Sequence, residues 1–355
     1  MSELKEILQE SVTRLFGDMV TRDVLIDAEN GTWPEALWAA LEENGLTNPL
    51  SIEELGGVGA TWDETFVILK AAGQSAAPVP LAETIIATWL AGKAGLELPG
   101  GPMTLAENSS CVDLTVRQDG GTWRLSGTLA AVPWGSAAEH VVLLVEKDGV
   151  PCIAMTRTSD ATVSGNRNMA REPRDTLTFD DAPVEIGEAA SSTGTTDPIR
   201  LYGALVRSVQ MAGAIERTVA EAVQYAQDRT QFGQPISKFQ SIQHQLAHLA
   251  AKSAQTTIAA ASACRAADRG DPQFEIATAK IIAGETAKTA TTIAHQVHGA
   301  IGFTYEHALH FTTRRLWSWR PEFGPESQWA EELGRRVAAR GADAFWADLT
   351  QRQSS

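Results

Sequence analysis

The chain is poor in cysteine, in basic residues and in long apolar runs. Its 355 residues include three cysteines, and 29 lysines and arginines against 44 aspartates and glutamates, for a formal charge of −15. Cys111, Cys152 and Cys264 are odd in number and far apart, which favours reduced thiols in a cytoplasmic protein over a disulfide framework or zinc site. The acidic balance argues against nucleic acid or an anionic membrane as a partner. No apolar run approaches the length of a membrane span, and the charged N-terminus is unlike a signal peptide.

The order of hydrophobic periodicities predicts an α+β chain, mainly α, in three domains. Residues 1–100 carry apolar side chains at helical spacing, as at Leu4, Leu8 and Val12. Residues 101–190 contain short β-branched and aromatic runs separated by turns such as Gly120-Gly121, which indicates a small, mostly antiparallel β-barrel or sandwich. Residues 195–355 return to long alanine-rich helical runs, which favour a four-helix bundle.

Two short elements at the ends of these long helical runs are candidates for binding a phosphate-containing group. Arg229-Thr-Gln-Phe-Gly-Gln-Pro-Ile236 places an arginine, a flat aromatic ring and a helix-ending glycine together. An arginine at such a place can hold a pyrophosphate through two parallel charge-assisted hydrogen bonds. Gln296-Val-His-Gly-Ala-Ile-Gly302 has two glycines that let the backbone approach a bound group. Each could also be an ordinary helix terminus, with the arginine compensating the helix dipole.

Together, these elements resemble the cofactor-binding segments of the acyl-CoA dehydrogenase family. Ile52-Glu-Glu-Leu-Gly-Gly-Val-Gly59 and Phe179-Asp-Asp-Ala-Pro-Val184 resemble two further family segments, in the family's order. The resemblance covers most of the chain and implies the acyl-CoA dehydrogenase fold, with FAD as cofactor. It also implies a set of residues that contact the ADP side of FAD: Arg229, Gln231, Phe232, Gly233, Ile236, Phe239, Gln240, Gln296, Gly299, Ala300 and Gly302. Ala300 replaces a glycine that is usual in the family.

The catalytic base of the family is missing from both places where it is expected. The reaction removes an α-proton from an acyl-CoA, which needs a carboxylate within hydrogen-bond reach. Most family members carry that glutamate at the position of Phe323, and a minority carry it at the position of Gly203. Neither residue can accept a proton, so no catalytic residue is predicted. Glu322 is the one nearby alternative, although a shift of one residue would point its side chain elsewhere.

The segments that would hold the flavin ring are also altered. Leu105-Ala-Glu-Asn-Ser-Ser110 is shortened and lacks the family's Gly-Ser-Asp, and Pro133 in Ala131-Val-Pro-Trp-Gly135 removes a backbone donor. Pro325-Glu326 replaces a Thr-Ser pair that contacts the cofactor in the family. The resemblance therefore implies a chain that keeps the surface for a neighbouring subunit's FAD and has lost the flavin-ring half of its own site.

This asymmetry resembles the shorter, glutamate-less subunit of heterotetrameric bacterial acyl-CoA dehydrogenases that shorten steroid side chains. The resemblance implies an α2β2 complex with a catalytic subunit that binds the acyl-CoA, FAD shared between the subunits, and an electron-transfer flavoprotein as acceptor. Two alternatives stay open: a self-sufficient homo-oligomeric dehydrogenase with Glu322 as base, and a non-catalytic scaffold or acyl-CoA-binding module. His244 and His248 lie one helical turn apart without an evident third ligand, so no metal is expected.

Overall fold

Helices form the N-terminal part of the chain in the computed structural model, which describes residues 2–195 and 197–354. The helices are α1 Glu3–Met19, α2 Arg22–Glu29, α3 Glu35–Glu43, α4 Trp62–Gln74 and α5 Leu81–Lys93. Helix α4 begins with a capping box, in which Thr61 and Glu64 satisfy each other's backbone N–H groups. The sequence pattern predicted helices in the regions of α1, α3 and α4. It did not predict α2 and α5 as separate helices.

The middle part is a β-sheet whose strands follow the order β1-β4-β5-β7-β3-β2, with β6 paired to β7. The strands are β1 Met103–Leu105, β2 Cys111–Asp119, β3 Thr122–Pro133, β4 His140–Lys147, β5 Val150–Arg157, β6 Ala161–Ser164 and β7 Arg174–Ala189. Only the β1–β4 pair is parallel among these described strands. The predicted antiparallel character is therefore right, whereas the short strands β1 and β6 were not predicted.

Long helices form the C-terminal part. They are α6 Pro198–Asp228, α7 Gln240–Arg269, α8 Gln273–His298, α9 Leu309–Trp319, α10 Glu326–Arg340 and α11 Ala342–Ser354. A two-residue hairpin, β8 Thr230–Gln231 and β9 Gln234–Pro235, joins α6 to α7. Alanines such as Ala212, Ala263 and Ala287 are buried where these helices pack, because small side chains permit close approach. The predicted mainly helical α+β architecture is confirmed.

Helix α6 is the element around which the helical parts pack. Its glycine Gly213 lies against the backbone carbonyl of Lys70 on α4, and Gly73 on α4 lies against the carbonyl of Gln210. A Cβ atom at either glycine would be 2.0 Å from that carbonyl oxygen, so α4 and α6 can cross here only because both positions lack a side chain. In the part of the chain that the structure describes, no helix is both long and apolar enough to cross a membrane.

Candidate functional site

The hairpin after α6 presents the first predicted element at the surface. Phe232 and Gly233 form its turn with φ angles of 52° and 80°, as a two-residue hairpin of this hand requires. Phe232 is 94% exposed, an unusual position for a phenylalanine. The backbone of Arg229 is fixed on both sides, because its N–H donates to the Tyr225 carbonyl at 2.9 Å and its carbonyl accepts from Ile236 at 2.8 Å. Its side chain is exposed, and no acidic partner pairs with it among the described residues.

The second element is the loop at the C-terminal end of α8. Gly299 ends the helix with a φ of 64° and a ψ of −142°, a conformation that glycine adopts far more readily than other residues. Nothing lies within 4 Å of the place that a Cβ of Gly299 would take, so its open side faces solvent. Gln296, Ala300 and Gly299 are exposed, whereas Gly302 is buried against His298. The groove beside Gln296 and Gly299 has a volume of about 380 Å³ and is walled by His295, Phe303 and Trp317.

The two elements lie side by side because of an aromatic stack that the sequence did not reveal. Tyr225, one helical turn before Arg229, stacks on His298, the residue before Gly299, with ring centroids 4.5 Å apart. His307 closes the stack edge-on, 4.5 Å from the His298 ring. Burial lowers the pKa of His298 to about 4, so this ring is neutral near pH 7. The signal for this stack in the sequence was Tyr225, which lies four residues, or one helical turn, before Arg229.

The two positions at which the resemblance places the family's base, Gly203 and Phe323, contact each other. Gly203 on α6 and Phe323 face each other, and a Cβ at Gly203 would lie 2.3 Å from Cδ1 of the Phe323 ring. Phe323 is 3% exposed and has a φ of 55°. Its carbonyl accepts from the Trp329 indole at 2.9 Å, so the loop is held firmly. The aromatic ring fills the space beside α6 at Gly203.

Glu322 belongs to a buried network of charges. Its two carboxylate oxygens accept from Arg174 and Arg207, each ion pair having a closest distance of 2.7 Å. Arg207 is 1% exposed and also pairs with Glu83 at 2.5 Å. The whole network consists of three carboxylates and three guanidinium groups: Glu83, Glu172, Glu322, Arg174, Arg207 and Arg315. Each carboxylate oxygen of Glu322 is therefore already bound by the guanidinium group of an arginine.

Glu172 is a buried acid of this network. Burial alone would raise its pKa, but the guanidinium groups of Arg315 and Arg174 hold the pKa of Glu172 below its usual range. The Trp319 indole donates to the same carboxylate at 3.0 Å. Sequence reasoning missed these charges, because their partners are far apart along the chain and carry no motif.

The segment expected to hold the edge of a flavin ring instead closes onto the Phe323 loop. The carboxylate of Glu107, within the altered Leu105–Ser110 segment, accepts from the Phe323 backbone N–H at 3.1 Å. Pro133 ends strand β3, and its carbonyl accepts from the buried Thr104 hydroxyl. Glu326 pairs with Arg320. The Arg229 and Gln296 side thus presents an exposed guanidinium and open backbone, which could hold a phosphate-containing group, whereas the side chains around Phe323 are buried and bonded to one another.

Comparisons with known proteins identify relatives of this chain. Residues 201–337 match the family model described as acyl-CoA dehydrogenase, C-terminal domain. Acyl-CoA dehydrogenase IpdE2 of Mycobacterium tuberculosis is 27% identical over 319 residues, which cover 88% of this chain and 91% of that protein. Acyl-CoA dehydrogenase FadE34 of the same organism is 29% identical over 309 residues, which cover 85% of this chain but only 42% of that longer protein.

Two solved structures share the fold over almost their whole length. The ChsE4-ChsE5 complex from Mycobacterium tuberculosis superposes with a TM-score of 0.87 at 20% identity, covering 96% of this chain and 99% of that one. The Tcur3481-Tcur3483 steroid acyl-CoA dehydrogenase superposes with a TM-score of 0.85 at 24% identity, covering 95% and 98%. Residues 201–337 therefore match the C-terminal domain of the acyl-CoA dehydrogenases, a family of FAD-dependent oxidoreductases, and the chain as a whole shares the fold of solved members of that family.

Proposed function

We propose that the chain is a non-catalytic but required subunit of a heteromeric, FAD-dependent acyl-CoA dehydrogenase. In this proposal it contributes the ADP-side surface of the FAD site to a partner subunit that carries the flavin ring and the base. The contact between Phe323 and Gly203 carries the proposal, because it fills both places from which a family member presents its glutamate. A phenyl ring packed against helix backbone leaves no room for a carboxylate, and it cannot accept the substrate proton.

The exposed surface at the end of α6 and α8 supports the other half of the proposal. Arg229 offers an unpaired guanidinium for a pyrophosphate, and Gly299 leaves the backbone of its loop open to a bound group. Phe232 would lose most of its exposed surface against a cofactor or a partner chain, which gives its exposure a reason. When bound, FAD supplies the acceptor for the hydride that leaves the acyl chain.

We assign this surface to a C-terminal domain of residues 195–355, with an N-terminal helical domain of residues 1–100 and a middle β domain of residues 101–190. The binding residues proposed in the C-terminal domain are Arg229, Gln231, Phe232, Gly233, Ile236, Phe239, Gln240, Gln296, Gly299, Ala300 and Gly302. The stack of Tyr225 on His298 keeps the two groups of residues in a fixed relation before any ligand arrives.

The names of similar structures support a partner and a substrate class. One is a complex of two differently named chains, ChsE4 and ChsE5, and another is described as a steroid dehydrogenase. We therefore propose an α2β2 assembly that acts on a steroid side-chain CoA thioester and passes electrons to an electron-transfer flavoprotein. The partner would hold the acyl-CoA, since the corresponding space in this chain contains Phe323, Arg207 and Glu83.

Co-expression with candidate partner subunits tests this proposal. The chain alone should bind little FAD and show no turnover, whereas the co-purified complex should be yellow, active and carry one FAD per two dissimilar chains. In the complex, Arg229→Ala should lower the FAD content or affinity about tenfold or more, because a charge-assisted contact to the cofactor is lost. Arg217→Ala, which removes an exposed arginine paired with Glu221 on the same helix, is the matched control.

Two outcomes would contradict the proposal. Strong FAD binding and turnover by the purified chain alone would show that it is self-sufficient, and Glu322→Gln would then test whether that acid is the base. Unchanged FAD content in a complex with Arg229→Ala would instead favour a scaffold that does not contact the cofactor.

A further inference from the structure

Three arginines from separate parts of the chain meet at Tyr305, in the loop between Gly302 and α9. The Arg22 guanidinium donates to the Tyr305 carbonyl oxygen. The Arg171 guanidinium donates to the phenolic oxygen at 3.3 Å, and its Cζ lies 6.0 Å from the ring centroid. The Cζ of Arg314 lies 5.8 Å from the same centroid. These four residues, which we call the Tyr305 patch, belong to α2, to the β6–β7 loop, to α9 and to the loop before α9.

The positive charges of the patch are only partly neutralised. Arg314 pairs with Glu29. Among the described residues, no carboxylate lies within ion-pair distance of Arg22 or Arg171. Arg22 is also the first residue of α2, where the helix dipole is positive and disfavours a cation. Cations gathered around one residue repel each other. They are gathered here although the chain as a whole is acidic, with a formal charge of −15.

The arginines are presented by backbone that is fixed in place. Arg171 has a φ of 61° in a tight turn, where its N–H donates to the Asn168 carbonyl at 2.9 Å. The same turn is tied to α9, because the N–H of the preceding residue, Ala170, donates to the Ser318 hydroxyl at 3.1 Å. A residue held in a sparsely populated conformation costs free energy, and such residues concentrate at functional sites. The arrangement is therefore ready for an anion before one binds.

One accessible aromatic ring adjoins these charges, since Tyr305 is 59% exposed. His310, buried below the patch with its Nε2 unpartnered, lies 5.0 Å from the Tyr305 ring. Burial, with the nearby charges of Arg314 and Arg22, lowers the pKa of His310.

We propose that the Tyr305 patch binds the phosphate group of a small nucleotide, with Arg22 and Arg171 on the phosphate oxygens and the Tyr305 ring beside the base. The guanidinium fork matches phosphate oxygens, and a phosphate monoester carries enough negative charge to neutralise two arginines. The exposed ring of Tyr305 offers the aromatic surface on which a base can stack. This site is separate from the Arg229 surface and does not rest on the proposed FAD role, since it involves Arg22 of α2 and Arg171 of the β6–β7 loop.

Calorimetry on the full chain with three probes tests the proposal: inorganic phosphate, adenosine 5′-monophosphate and adenosine. We expect the monophosphate to bind more tightly than phosphate, and adenosine to bind least. The Arg22→Gln/Arg171→Gln double variant should weaken monophosphate binding about tenfold or more, because charge-assisted hydrogen bonds are lost. Arg335→Gln, an exposed arginine on α10, should leave it unchanged. The monophosphate should also raise the pKa of His310, followed by NMR, since a bound anion favours the imidazolium.

The outcomes separate this site from its alternatives. Retained monophosphate binding in Arg229→Ala, with loss in the double variant, supports a distinct site whether or not the FAD proposal holds. Loss in Arg229→Ala with no effect of the double variant would overturn it. Equal binding of adenosine and the monophosphate, or no binding of either phosphate, would also overturn it. If the double variant only disrupted association with another protein, the patch would be a protein interface rather than a nucleotide site.

Discussion

Adding one methyl group at Gly203 should destabilise the fold, although the same change normally stabilises a helix. Gly203 lies inside α6, where glycine-to-alanine substitution favours the helix by about 1 kcal/mol. The new Cβ would meet the Phe323 ring at 2.3 Å, and overpacking of a dense core costs about 1–3 kcal/mol. The contact is short enough to place the cost near the upper end of that range. We therefore expect Gly203→Ala to lower the free energy of unfolding by about 2 kcal/mol.

The second half of this experiment removes the ring. Phe323→Ala should cost about 3–5 kcal/mol, as for other buried phenylalanines that leave a cavity. In that background, Gly203→Ala no longer meets a ring, so it should recover about 1 kcal/mol through helix propensity. The effect of the same methyl group thus changes sign, which corresponds to a coupling free energy of about 3 kcal/mol between the two positions.

Urea unfolding followed by tryptophan fluorescence measures these differences. Gly334→Ala is the matched control, because Gly334 lies inside α10 with nothing within 4 Å of its Cβ position. It should stabilise the protein by about 1 kcal/mol. If Gly203→Ala stabilised the chain as Gly334→Ala does, or if the two effects at 203 and 323 were additive, the packing of Phe323 against α6 would be refuted. The argument that the base site is filled would then fail too.

Arg207→Ala should lower the free energy of unfolding in urea by about 3–5 kcal/mol, because it leaves buried carboxylates unpaired. The control Arg217→Ala, at an exposed arginine, should change it by about 0.5 kcal/mol or less, and similar losses in both variants would contradict the buried network. The pKa of His298 is about 4 in the folded chain, which is below its value in the unfolded chain. His298 therefore contributes stability that is fully present above about pH 6.5 and is lost as the pH falls toward 4. In thermal melts recorded against pH, His298→Leu should make the melting temperature depend less on pH, whereas exposed His244→Gln should not. An unchanged pH dependence in His298→Leu would contradict this contribution of His298. Thr61→Ala removes the cap of α4 and should cost about 1 kcal/mol, measured by chemical unfolding; no loss would mean that the cap is dispensable.

Periodicity and short motifs were sufficient to predict the architecture and the surface elements. The spacing of apolar residues indicated the long helices, and Gly299 indicated the end of α8. The prediction that Gly233 ends a helix was wrong, because α6 ends at Asp228 and Gly233 lies in the hairpin turn that follows. These signals are local, because a helix end or a tight turn depends on residues close together in sequence. The short strands β1 and β6 carry too few residues to show a period, so only tertiary pairing reveals them.

The interior of the site was beyond sequence reasoning for a physical reason. Arg207 reaches Glu83 and Glu322 across 124 and 115 positions of chain, and nothing in those residues' neighbourhoods signals a pairing. The contact of Gly203 with Phe323 likewise depends on how α6 packs against a loop 120 residues later. Sequence could name both positions as lacking a base, but only the packing shows that one side chain fills the space of both.

The closed loop at Phe323 limits which side chain this position can carry. A glutamate at 323 would place its carboxylate against the α6 backbone at Gly203, next to Glu322 and to the Glu107 carboxylate that accepts from the backbone N–H of residue 323. The ion pairs of the neighbouring network already match three acids with three arginines, so the new acid would be crowded and would find no unpaired arginine among them. A carboxylate at this position therefore requires the loop itself to move, because Gly203 has no side chain that could be made smaller.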